Sequence, residues 1–367
     1  MNPANRDTLR PEEKILFSLR SLYAQNGYTQ YRMSKFEEYD LYASNKEFLL
    51  SDSVITFTDT NGKLMALKPD VTLSIVRNCR NTCDRTRKLW YTENVYRVSG
   101  STNGYREIMQ TGLECIGTVD DYNLCEVVRL AAESLRSVSD TALLAISHLD
   151  IVSAFIDRMH VSDGTRRSLL SCIRRKSTHE LAALCPDQSA DLIRLLSLRG
   201  SPEEAFTVLE ELNAPAEAVR QLRVIFDVLS LYGLSDSVRF DFSVISDTEY
   251  YNGVVFKGYV GGIPEAILSG GRYDRLLARM NVNAEAIGFA VYLDLIERYM
   301  AAEDGFDTDI LLLYTAEDNP VRVASAVRAL TADGYSVLAS RDIPDMLKYR
   351  RKAIMEGNGV KFIGPDA

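Results

Sequence analysis

Between Val238 and Asp274 the chain reads VRFDFSVISDTEYYNGVVFKGYVGGIPEAILSGGRYD. Two runs rich in aromatic and β-branched residues, each of alternating character, suit neighbouring antiparallel strands of a pleated surface. Asn252-Gly253 reads as a turn between them. The double glycine Gly270-Gly271 lacks side chains, so its backbone is free to approach a ligand or take positive φ, while Tyr250, Tyr251 and Tyr273 supply apolar walls tipped with hydroxyls. A tyrosine-walled pocket on a sheet floor is the expectation, and a tyrosine-rich sheet packed under helices is the plainer alternative.

At 367 residues and 46% hydrophobic content, the chain can build two or three domains with a substantial core. No apolar run reaches membrane-spanning length, and the first residues, MNPANRDTLRPEEK, are polar, so neither a membrane span nor a secretory signal is expected and the cytoplasm is the expected compartment. The six cysteines fit no disulfide framework. Reduced, mostly buried thiols are expected; Cys79 and Cys83 lack a second ligand pair at zinc-finger spacing, so no metal site is expected. Acidic residues outnumber basic ones 51 to 42, for a net charge of -9, which disfavours a polyanion such as tRNA or DNA as the main partner.

Residues 11–26 place Ile15, Leu16, Leu19 and Leu22 on one helical stripe, with Pro11, Glu12 and Glu13 at the start and Asn26-Gly27 at the end. Ile55 to Leu67 reads as a hairpin about Asn61-Gly62, after which Pro69 ends the strand and Thr72 starts a helix. Two strands follow, LWYTENVYRVSG and YREIMQTGLECIG, joined by Ser101 to Gly104. With period two, Gln110, Gly112 and Glu114 share a face. A buried carboxylate there needs either a donor-rich ligand or an internal Arg or Tyr. A helix and the apolar strand ALLAISHLD come next, with His148 read as structural. From Ile151 to about Gly233 the pattern is helical, an insertion whose basic run Arg174-Arg175-Lys176 is expected on a solvated face. After Glu303-Asp304-Gly305 strands and helices alternate: strands DILLLYTA, YSVLAS and VKFIG, with helices over VRVASAVRALTADG and DMLKYRRKAIMEG, a small parallel α/β unit.

Lys68-Pro69-Asp70-x-Thr72, Arg97, the run Tyr105-Arg106-Glu107 with Gln110 and Glu114, Tyr250-Tyr251 with Phe256, and Gly270-Gly271-Arg272-Tyr273-Asp274 occur in the order of the catalytic domain of histidyl-tRNA synthetase, which this chain resembles between residues 10 and 300. The resemblance implies an α+β fold: a class II aminoacyl-tRNA synthetase-like antiparallel sheet flanked by helices over 1–301, a helical insertion over about 151–235, and a shortened anticodon-binding-like α/β domain over 306–367. It also implies a histidine site. Asp70, Thr72 and Gln110 would hold the α-amino group, Glu114 and Tyr251 the imidazole, Tyr250 and Tyr273 the walls, and Arg97 the carboxylate.

The departures concern the nucleotide. Ser99 replaces an acidic residue that holds adenine in the synthetases, Ser246 replaces an arginine that stabilises the reacting carboxylate and phosphate, and Tyr292 and Leu295 stand where the third motif has glycine and a phosphate-gripping arginine. One such fixed donor contributes about 3 kcal/mol to charge development, so losing two implies no adenylation. A synthetase-like chain with a histidine pocket and no adenylation resembles the regulatory subunits of ATP phosphoribosyltransferase. That resemblance implies no chemistry of its own, no cofactor, no tRNA, and dimers within a hetero-oligomer. The short-form catalytic subunit would be the partner, dependent on this chain for activity and for feedback inhibition by histidine. An active histidyl-tRNA synthetase and a histidine-binding regulator of another process are the alternatives.

Overall fold

The computed structural model describes residues 10–45, 49, 54–79, 85–98, 104–186, 188–198, 201–245, 250–300, 306–357 and 359–364. They divide into two compact units, one from Glu12 to Glu297 and one containing Arg298–Ala367. In the larger unit the first helix, Pro11–Gln25, carries Glu12 and Glu13 in its first turn, where they complement the exposed N–H groups. Ile15, Leu16 and Leu19 are buried as the stripe requires. Tyr23, rather than Leu22, completes the buried face, its hydroxyl 3.0 Å from Ser134 Oγ.

Strands β1 (Thr29–Gln30), β2 (Phe36–Glu38), β3 (Thr56–Thr58), β4 (Leu64–Leu67), β5 (Arg87–Val98), β6 (Tyr105–Gly117), β7 (Leu143–His148), β8 (Val238–Phe240), β9 (Asn252–Tyr259), β10 (Leu268–Arg272) and β11 (Glu285–Tyr292) follow in the same unit. Eight of them form one sheet in the order β1-β5-β6-β11-β10-β9-β7-β8, antiparallel throughout its centre and parallel only at its edges, β1 with β5 and β7 with β8. The expected hairpin about Asn61-Gly62 is β3–β4. Asp59 Oδ1 accepts from the backbone of Asn61 and Lys63, and Gly62 takes φ +82°.

From β4 the chain is clipped onto the main sheet before it turns into the helix Thr72–Cys79. Tyr96 N donates to Lys68 O at 2.9 Å, and the fully buried Lys68 ammonium lies 2.7 Å from Glu93. An ion pair this enclosed is worth little over an apolar substitute but is costly to break, so it fixes where Asp70 and Thr72 emerge. Behind the sheet the helix Asp121–Arg136, capped by Asp120, buries Leu124, Val127, Val128 and Leu135. Between β7 and β8 run the helices Leu149–Arg158, Asp163–Arg174, Thr178–Leu184, Ala190–Leu196, Pro202–Glu211 and Ala216–Leu231, with a capping box at Ser201 and Glu204.

Two local readings are corrected. Asn252-Gly253 does not turn between strands; it opens β9. Gly253 has φ +61°, the register slips opposite Gly271 and Arg272, and the Asn252 amide exchanges hydrogen bonds with the side chain and backbone of Asp274. The pair forms an irregular strand start clasped to the next segment. Gly270 and Gly271 do not take positive φ. Their missing side chains admit neighbours: a Cβ on Gly270 would lie 2.4 Å from Phe289 Cβ and 2.7 Å from the Phe256 ring, and one on Gly271 2.9 Å from the Tyr251 ring.

The smaller unit contains β12 (Thr308–Leu313), the helix Pro320–Ala332, β13 (Val337–Ser340), β14 (Tyr349–Glu356) and β15 (Gly359–Ile363), with sheet order β13-β12-β14-β15. β12 is parallel to β13 and β14, and β15 closes the edge antiparallel. The helix expected over DMLKYRRKAIMEG is therefore strand β14. Lys, Arg, Ala, Met and Glu favour a helix in isolation, but pairing with two strands overrides that weak preference, and Ala353 is fully buried in the core with Ile310 and Leu312. All five described cysteines are free and buried, while Cys83 lies outside the described residues. Among the described residues no helix is long and apolar enough to cross a membrane.

Replacing Gly270 with Ala forces a contact that the sheet backbone cannot yield, since the new Cβ also meets Gly288 O at 2.5 Å. A loss of about 1–3 kcal/mol is expected from urea unfolding. An unchanged midpoint would show that the β10–β11 backbone shifts to admit the methyl group at no cost.

Candidate ligand-binding site

One face of the sheet floors a cavity of about 590 Å³. Directly paired residues share a face, so register lays out the floor in rows. Glu114 pairs with Gly288, and Gly288 with Gly271. One step along, Tyr91 pairs with Gly112, Gly112 with Ala290, Ala290 with Ser269, and Ser269 with Lys257. Gln110 pairs with Tyr292 in the third row. Asp70, Thr72, Arg97, Tyr250, Tyr251 and Tyr273 also line the cavity, so all eight residues expected from the sequence meet in one place.

Glu114 is at the centre of the polar end and only 2% exposed. Its Oε1 accepts from the Thr72 hydroxyl at 2.9 Å and its Oε2 from the Tyr273 hydroxyl at 2.6 Å. The carboxyl thus has internal donors, an internal Tyr among them, yet when ionised each oxygen keeps a second acceptor position. Gly288 makes room for it, since a Cβ there would fall 1.7 Å from Oε2. Burial pushes the Glu114 carboxyl up to about 8, outweighing the two hydroxyl donors, and the nearby Asp70 adds to the rise. At neutral pH the group is mostly protonated, and a ligand bringing positive charge would favour its ionisation.

The remaining groups are placed by short-range geometry. Asp70 Oδ1 accepts from Leu73 N at 2.9 Å in the first turn of the helix Thr72–Cys79; burial raises its pKa against the opposing charge of Arg97. Arg97 Nε donates to Pro69 O at 3.2 Å. The Gln110 amide, on a residue 4% exposed, makes no side-chain hydrogen bond among the described residues. The Tyr250 ring lies 4.5 Å from Tyr251 and 5.8 Å from Tyr273, centroid to centroid. Carboxyls, an amide oxygen and hydroxyls over aromatic walls suit a small ligand rich in N–H donors.

The histidyl-tRNA synthetase family model matches residues 4–296. An ATP phosphoribosyltransferase regulatory subunit from Clostridium novyi is 31% identical over 302 residues, covering 78% of this chain and 72% of its own length. The chain belongs to the histidyl-tRNA synthetase-like family of ATP phosphoribosyltransferase regulatory subunits. A crystal structure described as an ATP phosphoribosyltransferase regulatory subunit/histidyl-tRNA synthetase from Bacillus halodurans superposes with a TM-score of 0.73 over 95% of this chain and 94% of its own, at 24% identity. An ATP phosphoribosyl transferase complex from Thermotoga maritima contains a chain that superposes with a TM-score of 0.63, at 20% identity, over 77% of this chain and 97% of its own. These two likenesses establish the class II synthetase-like fold.

Within this regulatory-subunit fold the cavity has members that the sequence reading missed. Tyr91 reaches over Glu114's neighbour Gly112 on the cavity side, where a Cβ on Gly112 would meet its hydroxyl at 2.7 Å. Tyr273, expected only as a wall, donates to Glu114, and Thr72, expected to hold an ammonium, commits its proton to the same carboxyl. Lys257 and Arg174 line the far end; the run Arg174-Arg175-Lys176 is exposed, as its composition implies, and its first member also reaches the cavity. Ser99 and Ser246 lie outside the described residues.

Glu114 keeps its proton to higher pH when folded, about 8 against an ordinary 4.5. The folded state then binds more protons than the unfolded one between these values, and its stability falls as pH rises through that window. Glu114→Gln removes this component. Thermal unfolding from pH 5 to pH 8 should show the variant gaining on the parent as pH rises, whereas parallel curves would place the carboxyl in contact with water.

Proposed function

We propose that this chain is a non-catalytic regulatory subunit of ATP phosphoribosyltransferase that binds free histidine. The short-form catalytic subunit is its partner, and it confers both activity and histidine feedback inhibition on that partner in the first step of histidine biosynthesis. The observation that carries the reading is the Clostridium novyi relative, a regulatory subunit 31% identical over most of this chain. The Thermotoga maritima complex, which contains a chain of this fold, supports assembly with a catalytic partner. Dimerisation of the synthetase-like core and a cytoplasmic location belong to the same proposal.

Histidine fits the donor and acceptor set. The imidazole would lie against Glu114 and Tyr251 between Tyr250 and Tyr273, the ammonium would face Asp70, the Thr72 oxygen and the Gln110 amide oxygen, and the carboxylate would face Arg97. Absence of adenylation is supported by Tyr292, which lines the cavity beside Gln110 in place of a glycine, and by Leu295 in place of an arginine. In the proposed organisation, residues 151–235 form an insertion and 306–367 a shortened anticodon-binding-like domain. Regulation requires histidine to bind one state of the assembly better than another, since equal affinity for both shifts nothing.

The test is reconstitution. Adding the chain to short-form catalytic subunit should raise its rate and make it inhibitable by histidine, and the chain alone should show no histidine-dependent exchange of pyrophosphate into ATP. Exchange at a synthetase-like rate would establish the enzyme reading instead. Calorimetric titration should show Glu114→Gln weakening histidine binding by about 2 kcal/mol, roughly thirtyfold, the scale of losing a buried charged acceptor. Unchanged affinity in the folded variant would move the imidazole elsewhere.

A further inference from the structure

The cavity is longer than an amino acid needs. Its middle row runs Tyr91, Gly112, Ala290, Ser269, Lys257 across β5, β6, β11, β10 and β9, and its three central members are all small. Three interstrand steps separate β6 from β9, roughly 14 Å at about 4.8 Å each. This trough leads from the Glu114 end to Lys257, which is half-buried, and to Arg174, the last residue of the helix Asp163–Arg174.

The neighbours of Arg174 in the basic run are accounted for. Arg175 pairs with Glu180 at 2.8 Å and Lys176 with Asp241 at 2.7 Å. Arg174 instead faces the cavity, and among the described residues neither it nor Lys257 has a carboxylate partner. Two cations converging on one wall repel each other unless an anion lies between them. Burial, then the charge of Arg174, lowers the Lys257 pKa. The Ser269 hydroxyl, beside Lys257 on the floor, adds a donor.

We propose that Lys257, Arg174 and Ser269 form a second subsite, which takes the phosphoryl group of a small phosphorylated ligand. A phosphate monoester carries close to two negative charges at neutral pH, matching the two cations, and its oxygens accept from a guanidinium, an ammonium and a hydroxyl together. A carboxylate would leave one cation uncompensated. The subsite stands apart from the histidine reading, because the floor of small residues separates it from Glu114.

Calorimetric titration of the full chain with inorganic phosphate, and separately with acetate, tests the assignment on the parent, on Lys257→Met, which keeps the stem and removes the charge, and on Arg174→Gln at an exposed helix end. The expected result is one phosphate per chain, acetate binding weaker, and phosphate affinity reduced about tenfold or more in both variants, with histidine affinity unchanged. Phosphate binding that is absent or equal in all three proteins would overturn the subsite. So would acetate binding as tight as phosphate. A matching loss of histidine affinity in both variants would also overturn it, by making the cations a clamp for the amino acid's own carboxylate.

Discussion

The hydrogen bonds that Thr72 and Tyr273 give to the Glu114 carboxyl hold the molecule's functional geometry together. They join residues 42 and 159 positions from Glu114, on a helix N-terminus and just past a strand end, to a carboxyl in the middle of β6. The arrangement works only because Gly288 has no side chain, because the Lys68–Glu93 pair and the Tyr96 backbone clip Thr72's segment onto the sheet, and because Asn252 clasps the turn after Tyr273. Each supporting contact comes from a different part of the chain. The carboxyl is thereby fixed in position while its burial keeps it close to neutral, ready to ionise against a donor-rich ligand.

Local periodicity made part of this legible in advance. The alternation along β6 puts Gln110 and Glu114 on one face whatever the fold, the Asn61-Gly62 turn encodes β3–β4, and the resemblance in motif order placed the other pocket residues. What stayed hidden depends on contacts distant in sequence. Arg174 reads as one of three surface cations and is exposed like the other two, and only the fold shows that it also lines the cavity with Lys257. Tyr91 is one aromatic among several in β5 until its pairing with Gly112 brings its hydroxyl over the cavity floor.

The misread segments show the same limit from the other side. Strand β14 has the composition of a helix, yet a strand between two partners satisfies its backbone and buries Ala353. Asn252-Gly253 has the composition of a hairpin tip but is used as a bulged strand start, because its amide finds Asp274. Gly270 and Gly271, free by sequence to approach a ligand or take positive φ, take no positive φ and leave room for Phe256 and Phe289 at the first and for the Tyr251 ring at the second. In each case a tertiary partner decides between conformations that the local sequence permits equally.

The most direct check of the central claim is a crystal structure of the chain grown with histidine. The imidazole should occupy the polar end of the cavity with one ring nitrogen within hydrogen-bonding distance of Glu114, flanked by Tyr250 and Tyr251, and with the ammonium toward Asp70 and Gln110. Histidine bound elsewhere, or a ring turned away from a Glu114 still held by Thr72 and Tyr273, would contradict the account.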